Sequence, residues 1–492
     1  MFFLACATPD SVDSAETEVD PNAVDVTTDV IVVGSGPAGV AAAWAAAESG
    51  ADVILFERDD FAGFGLLLGG MALAVNTQWQ EEAHIEDSVE LAQSEWPSIT
   101  GESGTHPGVT QFLEQSSETM DWLVGHGVTI EGLSYAQGEG SKPRLHVFAW
   151  SLEASPFQVL MEEFPGQVRL GMEVTEPLLV NGDLVGVRWR DRATEEEGAT
   201  GAASVVLATG GFLRDLEAVA AARPDLAARD PLFETNLNSV GSTLPFLEQV
   251  GAGRTAPGEI GAYLHSIQDP RQPDGEALIV GLSGSYILVG ADGRRFTNDS
   301  HLGSYAPVVD APEGDLWLIT AGFPAEAASF AAPAYNWPEG LTDPEALTAA
   351  EVVAFGSDEI FLADTLDDLA ALTGLGTDLI DEIGEFDTLV AGRAEDPFGR
   401  TFHSTDALAE PPWLALRVHP GLAKNFGGVT TDLNGRVLDA EGSVIVGLYA
   451  AGEVAGMILG GGSGIGFSGS VGACYQGGRM AGTTAADEAA VR

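Results

Sequence analysis

Cysteine is nearly absent from this chain of 492 residues, which contains only Cys6 and Cys474. Two cysteines cannot build a disulfide framework, and neither stands in the C-x-x-C-H pattern that attaches haem. Any haem that takes part in the chemistry of this protein would therefore belong to another chain.

Basic residues are scarce too, because 21 lysines and arginines stand against 74 acidic residues, giving a formal net charge of -53 at pH 7. Nucleic acids and anionic membrane surfaces select basic patches, so neither is an expected partner. The acidic runs at residues 195–197 and 364–368 instead predict solvated faces on a surface suited to high salt.

Long apolar runs are also missing, and without about 20 consecutive apolar residues no transmembrane span is predicted. Residues 1–6 end in Leu-Ala-Cys, like the tail of a bacterial lipoprotein signal, but they lack a basic start and a full apolar segment. Residues 1–28 are predicted to be an acidic tether. Two interpretations stay open: a truncated signal that anchors a periplasmic protein through Cys6, or a chance match in a cytoplasmic protein.

The most informative stretch is residues 29–57, which follow the order strand, glycine turn, helix and second strand. The β-branched residues 30–33 lead into Gly34, Gly36 and Gly39, which have the G-x-G-x-x-G spacing of dinucleotide sites. The first glycine permits the sharp turn, the second lets the backbone approach a pyrophosphate, and the third lets the helix pack close to the strand.

The helix and the acid that follow complete this unit. The alanine-rich residues 40–49 predict a helix whose first N–H groups and dipole favour a diphosphate. Glu57 ends the second strand, 23 residues after Gly34, where a carboxylate accepts the ribose hydroxyls and repels a 2′-phosphate. These features favour a dinucleotide site over a generic glycine-rich loop, with NAD and FAD both still open.

Later motifs resemble the flavoprotein family of fumarate reductases and succinate dehydrogenases, which also includes urocanate reductases and 3-ketosteroid Δ1-dehydrogenases. The resemblance spans about residues 27–485. The motifs are the pair Gly69-Gly70, Gln78 and Gln80, I-x-D-S-x-E-L at residues 85–91, an amphipathic helix at 120–130, A-T-G-G at 208–211, G-L-Y-A-A-G-E at 447–453, and a glycine loop with a closing helix at 459–482.

This resemblance implies an α/β fold in which a Rossmann-like, discontinuous FAD-binding domain carries an inserted α+β capping domain. The FAD-binding domain would occupy residues 29–265 and 425–492, and the capping domain residues 266–424. Residues 167–208 predict a β-meander within the first part, with a hairpin turn at Asn181-Gly182.

The family's cofactor is FAD, and we expect it to be bound non-covalently because leucines precede Gly69 where an attachment signal would stand. Glu453 would accept the ribityl hydroxyls, and the closing helix would stabilise negative charge on the reduced ring. No metal site is predicted. The residues expected against FAD are Gly34, Gly36, Pro37, Ala38, Gly39, Glu57, Arg58, Gly69, Gly70, Thr209, Gly210, Gly211, Gly452, Glu453, Ser463, Gly464, Ile465 and Gly466.

The chain departs from fumarate reductases where they bind a dicarboxylate. No arginine stands near Gly303, where the family has its proton donor, and the last glycine loop offers Ser463 without a positive charge. The family's paired histidines are replaced by Lys424 and Asn425. Since fumarate or succinate would lack counter-charges, an uncharged or singly charged enone is the better expectation.

The candidate catalytic residues are Tyr263, His265, His301 and Tyr305. The first two stand where the family has a substrate-binding histidine, and the last two follow its cap motif. For each of the four, a purely structural role stays an equal alternative. We interpret three further residues as non-catalytic: His419 as structural, Lys424 as a surface residue and Cys474 as a packing residue.

The predicted function is that of an FAD-dependent oxidoreductase acting on an activated C–C bond, by enone or enoate reduction or the reverse desaturation. A small-molecule substrate and a separate electron donor or acceptor, such as a cytochrome, a quinone or another redox protein, would be its partners. The alternative is a flavin-binding electron carrier, or surface-tethered module, whose substrate site has decayed.

Overall fold

The computed structural model describes residues 26–63, 70–135, 140–149, 156–272, 275–282, 285–300, 306–321, 328–332, 346–402, 407–408 and 411–492. Its strands, in chain order, are β1 (Val26–Val33), β2 (Val53–Phe56), β3 (Met71–Leu73), β4 (Ile130–Ser134), β5 (Leu145–Phe148), β6 (Gln167–Arg169), β7 (Met172–Val180), β8 (Asp183–Asp191), β9 (Glu197–Leu207), β10 (Leu232–Phe233), β11 (Arg254–Thr255), β12 (Ile260–Gln268), β13 (Ala277–Leu282), β14 (Tyr286–Val289), β15 (Leu316–Ala321), β16 (Ala328–Ala331), β17 (Leu347–Thr348), β18 (Ile360–Ala363), β19 (Trp413–Asn425), β20 (Gly428–Val429), β21 (Arg436–Leu438) and β22 (Val444–Ala450).

The helices of the same residues are α1 (Pro37–Glu48), α2 (Gln78–Glu82), α3 (Val89–Thr100), α4 (Pro107–Gly125), α5 (Pro156–Glu162), α6 (Leu216–Ala222), α7 (Pro224–Ala227), α8 (Leu244–Gln249), α9 (Ala306–Asp310), α10 (Ala349–Ala354), α11 (Leu366–Thr373), α12 (Gly376–Val390) and α13 (Val471–Ala489), with a 3-10 turn at Glu453–Ala455. None of them combines the length and apolar character needed to cross a membrane.

The first large sheet has the strand order β21-β22-β9-β1-β2-β6. Its central pairs are parallel, with β1 between β2 and β9, and β22 beside β9. Strand β1 precedes the second sheet in the chain and β22 follows it, so two separate segments build this sheet. The α/β fold class with a discontinuous nucleotide-binding unit is therefore confirmed.

Helices α1 and α13 pack closely against each other beside this sheet. A Cβ atom on Gly478 would come within 2.2 Å of the Ala38 carbonyl oxygen, and one on Gly482 within 2.1 Å of that of Ala42. Small residues on both helices therefore bring them close together. The carboxyl-terminal half of β1 beneath them is buried, as Val30, Ile31 and Val32 each have 0% exposure, because the sheet is covered there.

The second large sheet has the order β14-β15-β19-β12-β13-β16-β17, and β10 and β18 also pair with β19. Apart from the parallel β10–β19 pair, its pairs are antiparallel. Apolar clusters lie on it at Leu264, Leu288 and Leu416, and at Ile287, Ile319 and Ala415. The boundary predicted between residues 265 and 266 falls inside β12, because this strand runs from Ile260 to Gln268.

Three local predictions can be compared directly with the structure. The hairpin at Asn181-Gly182 is confirmed, since β7 and β8 pair up to Val180 and Asp183 and both turn residues have positive φ. The helix predicted at 120–130 was misplaced, because α4 begins at Pro107 and ends at Gly125, and β4 begins at Ile130. The last three residues of the tether predicted at 1–28 belong to β1, which begins at Val26. Residues 1–25, with Cys6, lie outside the described residues.

Candidate active site

A cleft of about 1120 Å³ lies between the two large sheets. On one side, its wall is formed by the residues that follow β1, β2, β9 and β22, which are the carboxyl ends of parallel strands. Open α/β sheets bind ligands at such ends. On the other side, the wall is formed by β12 and β19 of the second sheet.

The glycine turn after β1 occupies the nucleotide end of this cleft. A Cβ atom at Gly39 would lie 1.8 Å from the Gly34 carbonyl oxygen, so packing of α1 against the turn excludes a side chain there. Gly36 differs, because it lines the cleft, has an ordinary φ of -67°, and would place a Cβ atom in open space. Only a ligand in the cleft would need Gly36 to be a glycine, as a pyrophosphate would.

Glu57 and Arg58 lie beside the turn, at the end of β2. The Glu57 carboxylate is buried and accepts hydrogen bonds from the backbone N–H of Ser35 at 3.0 Å and of Asp59 at 3.0 Å. Arg58 lines the cleft 3.7 Å from Glu173, while its Nε and Nη1 atoms are buried without a hydrogen-bond partner among the described residues. Buried donors without partners are costly, so this end of the cleft fits a polar cofactor.

Glu453 and the residues after β9 form the middle of the cleft. The Glu453 carboxylate accepts the Asn425 backbone N–H at 2.8 Å, and a Cβ atom at Gly211 would lie 2.5 Å from it. Burial raises the pKa of Glu453 to about 7, although backbone donors and Lys424 act in the opposite direction. Thr209 and Gly210 line the cleft beside it. A ribityl hydroxyl that donates a hydrogen bond would suit this carboxylate.

The glycine loop before α13 contributes only part of its predicted residues. Ile465 and Gly466 line the cleft. Ser463 does not, because its hydroxyl is buried and donates to the carbonyl oxygens of Gly456 and Phe426 at 2.9 and 3.2 Å. Gly464 packs against Thr100 instead. The direct cofactor contact predicted for these two residues stays a prediction, while within the protein both contact residues that support the shape of the loop.

The other predicted cofactor residues are placed as follows. Pro37, Ala38 and Gly452 line the cleft, whereas Gly70 does not. The Gly70 carbonyl oxygen instead accepts the Phe148 backbone N–H at 2.9 Å. Gly69 lies outside the described residues.

Lys424 is not the surface residue that was predicted. It lies at the end of β19, lines the cleft, and donates through Nζ to the Phe467 carbonyl oxygen at 3.2 Å and the Ser470 hydroxyl at 3.3 Å. Ser470 immediately precedes α13. The prediction failed because β19 carries this residue inward between the sheets, which its local sequence does not indicate.

Tyr263 and His265 both line the cleft from β12. His265 Nε2 lies 3.1 Å from Oε1 of Glu234, a residue with 3% exposure that the sequence did not single out. Burial opposes protonation of the imidazole, but the Glu234 carboxylate outweighs burial and raises the pKa of His265 above its ordinary value. The His265 imidazole therefore keeps its proton to a higher pH than an isolated histidine does.

His301 and Tyr305 lie outside the described residues, but the segment before them is firmly anchored. Asp299 has 0% exposure and accepts hydrogen bonds from Arg295 and Arg400, each at 2.9 Å, and from the Leu288 backbone N–H at 2.9 Å. Both arginines therefore form their ion pairs with Asp299 in the interior of the second sheet. They are not available to a ligand in the cleft.

The remaining two predictions concern His419 and Cys474. His419 pairs with Glu359 at 2.7 Å and does not line the cleft, which confirms a structural role. Cys474 packs with its sulfur 3.8 Å from that of Met457, at the wall of the cleft. Burial raises the pKa of its thiol to about 12, so Cys474 is not a thiolate nucleophile.

Comparison with known proteins adds to this geometry. The profile of the family described as FAD binding domain matches residues 29–466. A probable fumarate reductase of Shewanella frigidimarina is 28% identical over 449 residues, covering 88% of this chain and 71% of the relative. A vinyl phenol reductase of Lactiplantibacillus plantarum is 26% identical and covers 93% and 96% of the two chains.

A KsdD-like steroid dehydrogenase of Mycobacterium tuberculosis is also similar, at 26% identity over 97% of this chain and 99% of the relative. Among solved structures, the open conformation of a flavocytochrome c3 fumarate reductase superposes with a TM-score of 0.69 and 26% identity. That match covers 95% of this chain and 79% of the other. The predicted resemblance to fumarate reductases and ketosteroid dehydrogenases is therefore confirmed.

Proposed function

The chain belongs to the FAD binding domain family and is an FAD-dependent oxidoreductase, and on that premise we propose that it acts on an activated C–C bond of an uncharged or singly charged small molecule. The proposed reaction is reduction of an enone, enoate or vinyl arene, or the reverse desaturation. When bound, FAD supplies the hydride-transfer chemistry of such a reaction.

The shortage of cations at the substrate end of the cleft carries this proposal. Among the residues that the structure describes, Arg58 is the one arginine that lines the cleft, and it lies beside Glu57 at the nucleotide end. Lys424 is engaged by Phe467 and Ser470, and His265 by Glu234. A dicarboxylate needs a counter-charge at each end, because an unpaired buried carboxylate is strongly disfavoured.

The relatives alone do not decide between substrate classes. One is named for fumarate, another for a vinyl phenol and a third for steroids. Tyr263, His265 and Ile279 form a wall that combines an aromatic ring, one polar group and an aliphatic side chain. A largely apolar substrate with one activating polar group fits such a wall better than a dicarboxylate does.

The cofactor is proposed to be held non-covalently by the nucleotide turn, Glu57, Arg58 and Glu453. Denaturation of the purified yellow protein in acid should release all flavin into the supernatant. Flavin that stays with the precipitate would contradict this part of the proposal. A separate redox protein or quinone would supply or accept electrons, because the sequence offers no haem-attachment motif.

A turnover assay tests the substrate class. FAD-loaded protein is mixed anaerobically with reduced methyl viologen and one acceptor at a time: 4-vinylphenol, a cyclic enone, crotonate or fumarate. We expect viologen oxidation with at least one neutral or singly charged acceptor, and none with the apoprotein control. If no acceptor is reduced although the flavin accepts electrons, the electron-carrier alternative replaces this proposal.

A further inference from the structure

The register of β12 and β19 aligns chemically capable side chains on one face of the second sheet. Gly261 pairs with Lys424 and Tyr263 pairs with Gly421. Tyr263 and His265 line the cleft, whereas Leu264 between them is fully buried. Four residues of strand separate the level of Lys424 from His265, which is about 14 Å at roughly 3.4 Å per residue. His265 therefore lies well away from the start of α13.

Contacts with two strands, β19 and β12, hold Glu234 beside His265. Its backbone N–H donates to the Leu422 carbonyl oxygen of β19 at 3.0 Å, and its carboxylate accepts the hydroxyl of Ser266 from β12. The side chain of Glu234 is only 4% exposed, so its charge has little access to water. Position 421 is a glycine, which leaves the carboxylate room beneath β19.

The neighbouring elements contribute few competing charges. The titratable and charged groups on the elements around the pair are Tyr263 on its own strand, His419 and Lys424 on β19, and the ion pair of Arg214 with Glu276 beside residues 235–236. His419 and Arg214 already have carboxylate partners in Glu359 and Glu276. The Glu234 carboxylate is therefore the dominant charge that His265 meets.

From this geometry we propose that His265 is the proton donor of the reaction, and that Glu234 is a positioning residue that keeps the imidazole protonated and oriented. This inference rests on the proposed function. Nε2 lies 3.1 Å from Oε1 of Glu234, an ion-pair distance without hydrogen-bond geometry between these two groups, and Nδ1 is the ring nitrogen that remains for the substrate. An imidazolium suits this task because a general acid works best when its pKa lies near the operating pH.

The proton and electron balance of the step is complete. Bound reduced FAD would supply the hydride for one carbon of the C=C bond, and His265 would donate its Nδ1 proton to the other. The π bond would be replaced by two C–H bonds, while the N–H bond of His265 and the bond that held the hydride on the reduced flavin would both break, which leaves the flavin oxidised. His265 is left neutral, Glu234 stays a carboxylate, and His265 regains a proton from solvent.

The first test is the pH dependence of alkene reduction by FAD-loaded Glu234→Gln protein. Because the carboxylate supports the charged imidazole, its loss should move the alkaline limb to lower pH, so that the rate at pH 8 falls at least about tenfold relative to that at pH 6. His265→Gln should lower kcat at least about 100-fold while KM and the flavin spectrum stay unchanged.

The chain provides a matched control in His419 and Glu359. This second buried histidine–carboxylate pair lies on the adjacent strand but outside the cleft. Glu359→Gln should leave the pH profile unchanged, whatever it does to stability. An unchanged alkaline limb in Glu234→Gln would overturn the proposal. A raised KM with unchanged kcat in His265→Gln would also overturn it, because His265 would then only bind substrate.

An NMR titration keeps this test separate from the substrate question. The eight histidines are labelled with carbon-13 in the FAD-loaded protein, and the His265 signal is assigned by its loss in His265→Gln. Its titration midpoint should be higher in the wild type than in Glu234→Gln, and equal midpoints would overturn the proposal. If no alkene is reduced, the proposed function fails, while this titration still decides whether Glu234 holds the proton on His265.

Discussion

A Cβ atom at Gly421 would lie 1.7 Å from Oε1 of Glu234. The glycine in β19 therefore leaves the space that a carboxylate from the neighbouring segment occupies. That carboxylate faces His265. A glycine at position 421 is therefore what allows the charge of Glu234 to lie beside His265.

Gly421→Ala should act at a distance on His265. The added methyl group must displace the Glu234 carboxylate, and such overpacking costs about 1–3 kcal/mol of stability. We expect a lower melting temperature and the same loss of activity at alkaline pH as in Glu234→Gln. If Gly421→Ala is less stable but keeps the wild-type pH profile, the effect of Glu234 on His265 does not depend on the space that Gly421 leaves.

Gly36→Ala separates cofactor binding from folding. A Cβ atom there meets nothing in the protein, so the apoprotein should keep its melting temperature, whereas FAD affinity should fall about 5- to 150-fold through a clash worth about 1–3 kcal/mol. Isothermal titration with FAD measures the affinity. Gly384→Ala in α12, which also points into open space, should leave FAD affinity unchanged. Equal FAD affinities of the wild type, Gly36→Ala and Gly384→Ala would show that Gly36 is not part of the cofactor site.

Glu453 should make the stability of the apoprotein depend on pH. Its folded pKa of about 7 lies above the ordinary 4.5, so the native state binds this proton more tightly than the unfolded chain. Glu453 is therefore expected to destabilise the fold as pH rises from 4.5 through 7, by up to about 3 kcal/mol, and less where water in the cleft reaches the carboxyl. Urea unfolding of Glu453→Gln should be less sensitive to pH in this range; parallel curves would contradict the assignment.

Lys424 should raise the reduction potential of bound FAD. Reduction adds negative charge to the flavin, and a cation in the same cleft favours that state. Lys424→Met should lower the midpoint potential by roughly 30 mV for each 1.4 kcal/mol of lost stabilisation in a two-electron couple. Lys142→Met is the matched control, because Lys142 is the only other lysine and does not line the cleft. An equal midpoint potential in the wild type, Lys424→Met and Lys142→Met would show that Lys424 lies too far from the flavin ring to influence its reduction.

Features that depend on local spacing were predictable from the sequence. The turn at Gly34 and Gly39, the strand that ends just before Glu57 and the hairpin at Asn181 each follow from a few consecutive residues. Their geometry is fixed by backbone sterics and by hydrogen bonds within one supersecondary unit. The α/β fold class followed from several such units in their observed order.

The contents of the substrate end were not predictable in the same way. Glu234 meets His265 only because both lie against β19, and Lys424 enters the cleft only because that long strand passes between the two sheets. No periodicity or spacing marks these residues, since tertiary pairing alone brings them together. The motif around Ser463 likewise does not reveal that its hydroxyl donates to carbonyl oxygens of its own surroundings and supports the loop.

The central claim is that the substrate end of the cleft cannot neutralise two carboxylates. Fumarate, monomethyl fumarate and dimethyl fumarate share one C=C bond and carry two, one and no negative charges, so kcat/KM for this series with the FAD-loaded protein measures the claim directly. We predict that at least one ester exceeds fumarate by about tenfold or more, the value of one lost charge-assisted contact. A kcat/KM that is highest for fumarate itself would contradict the account.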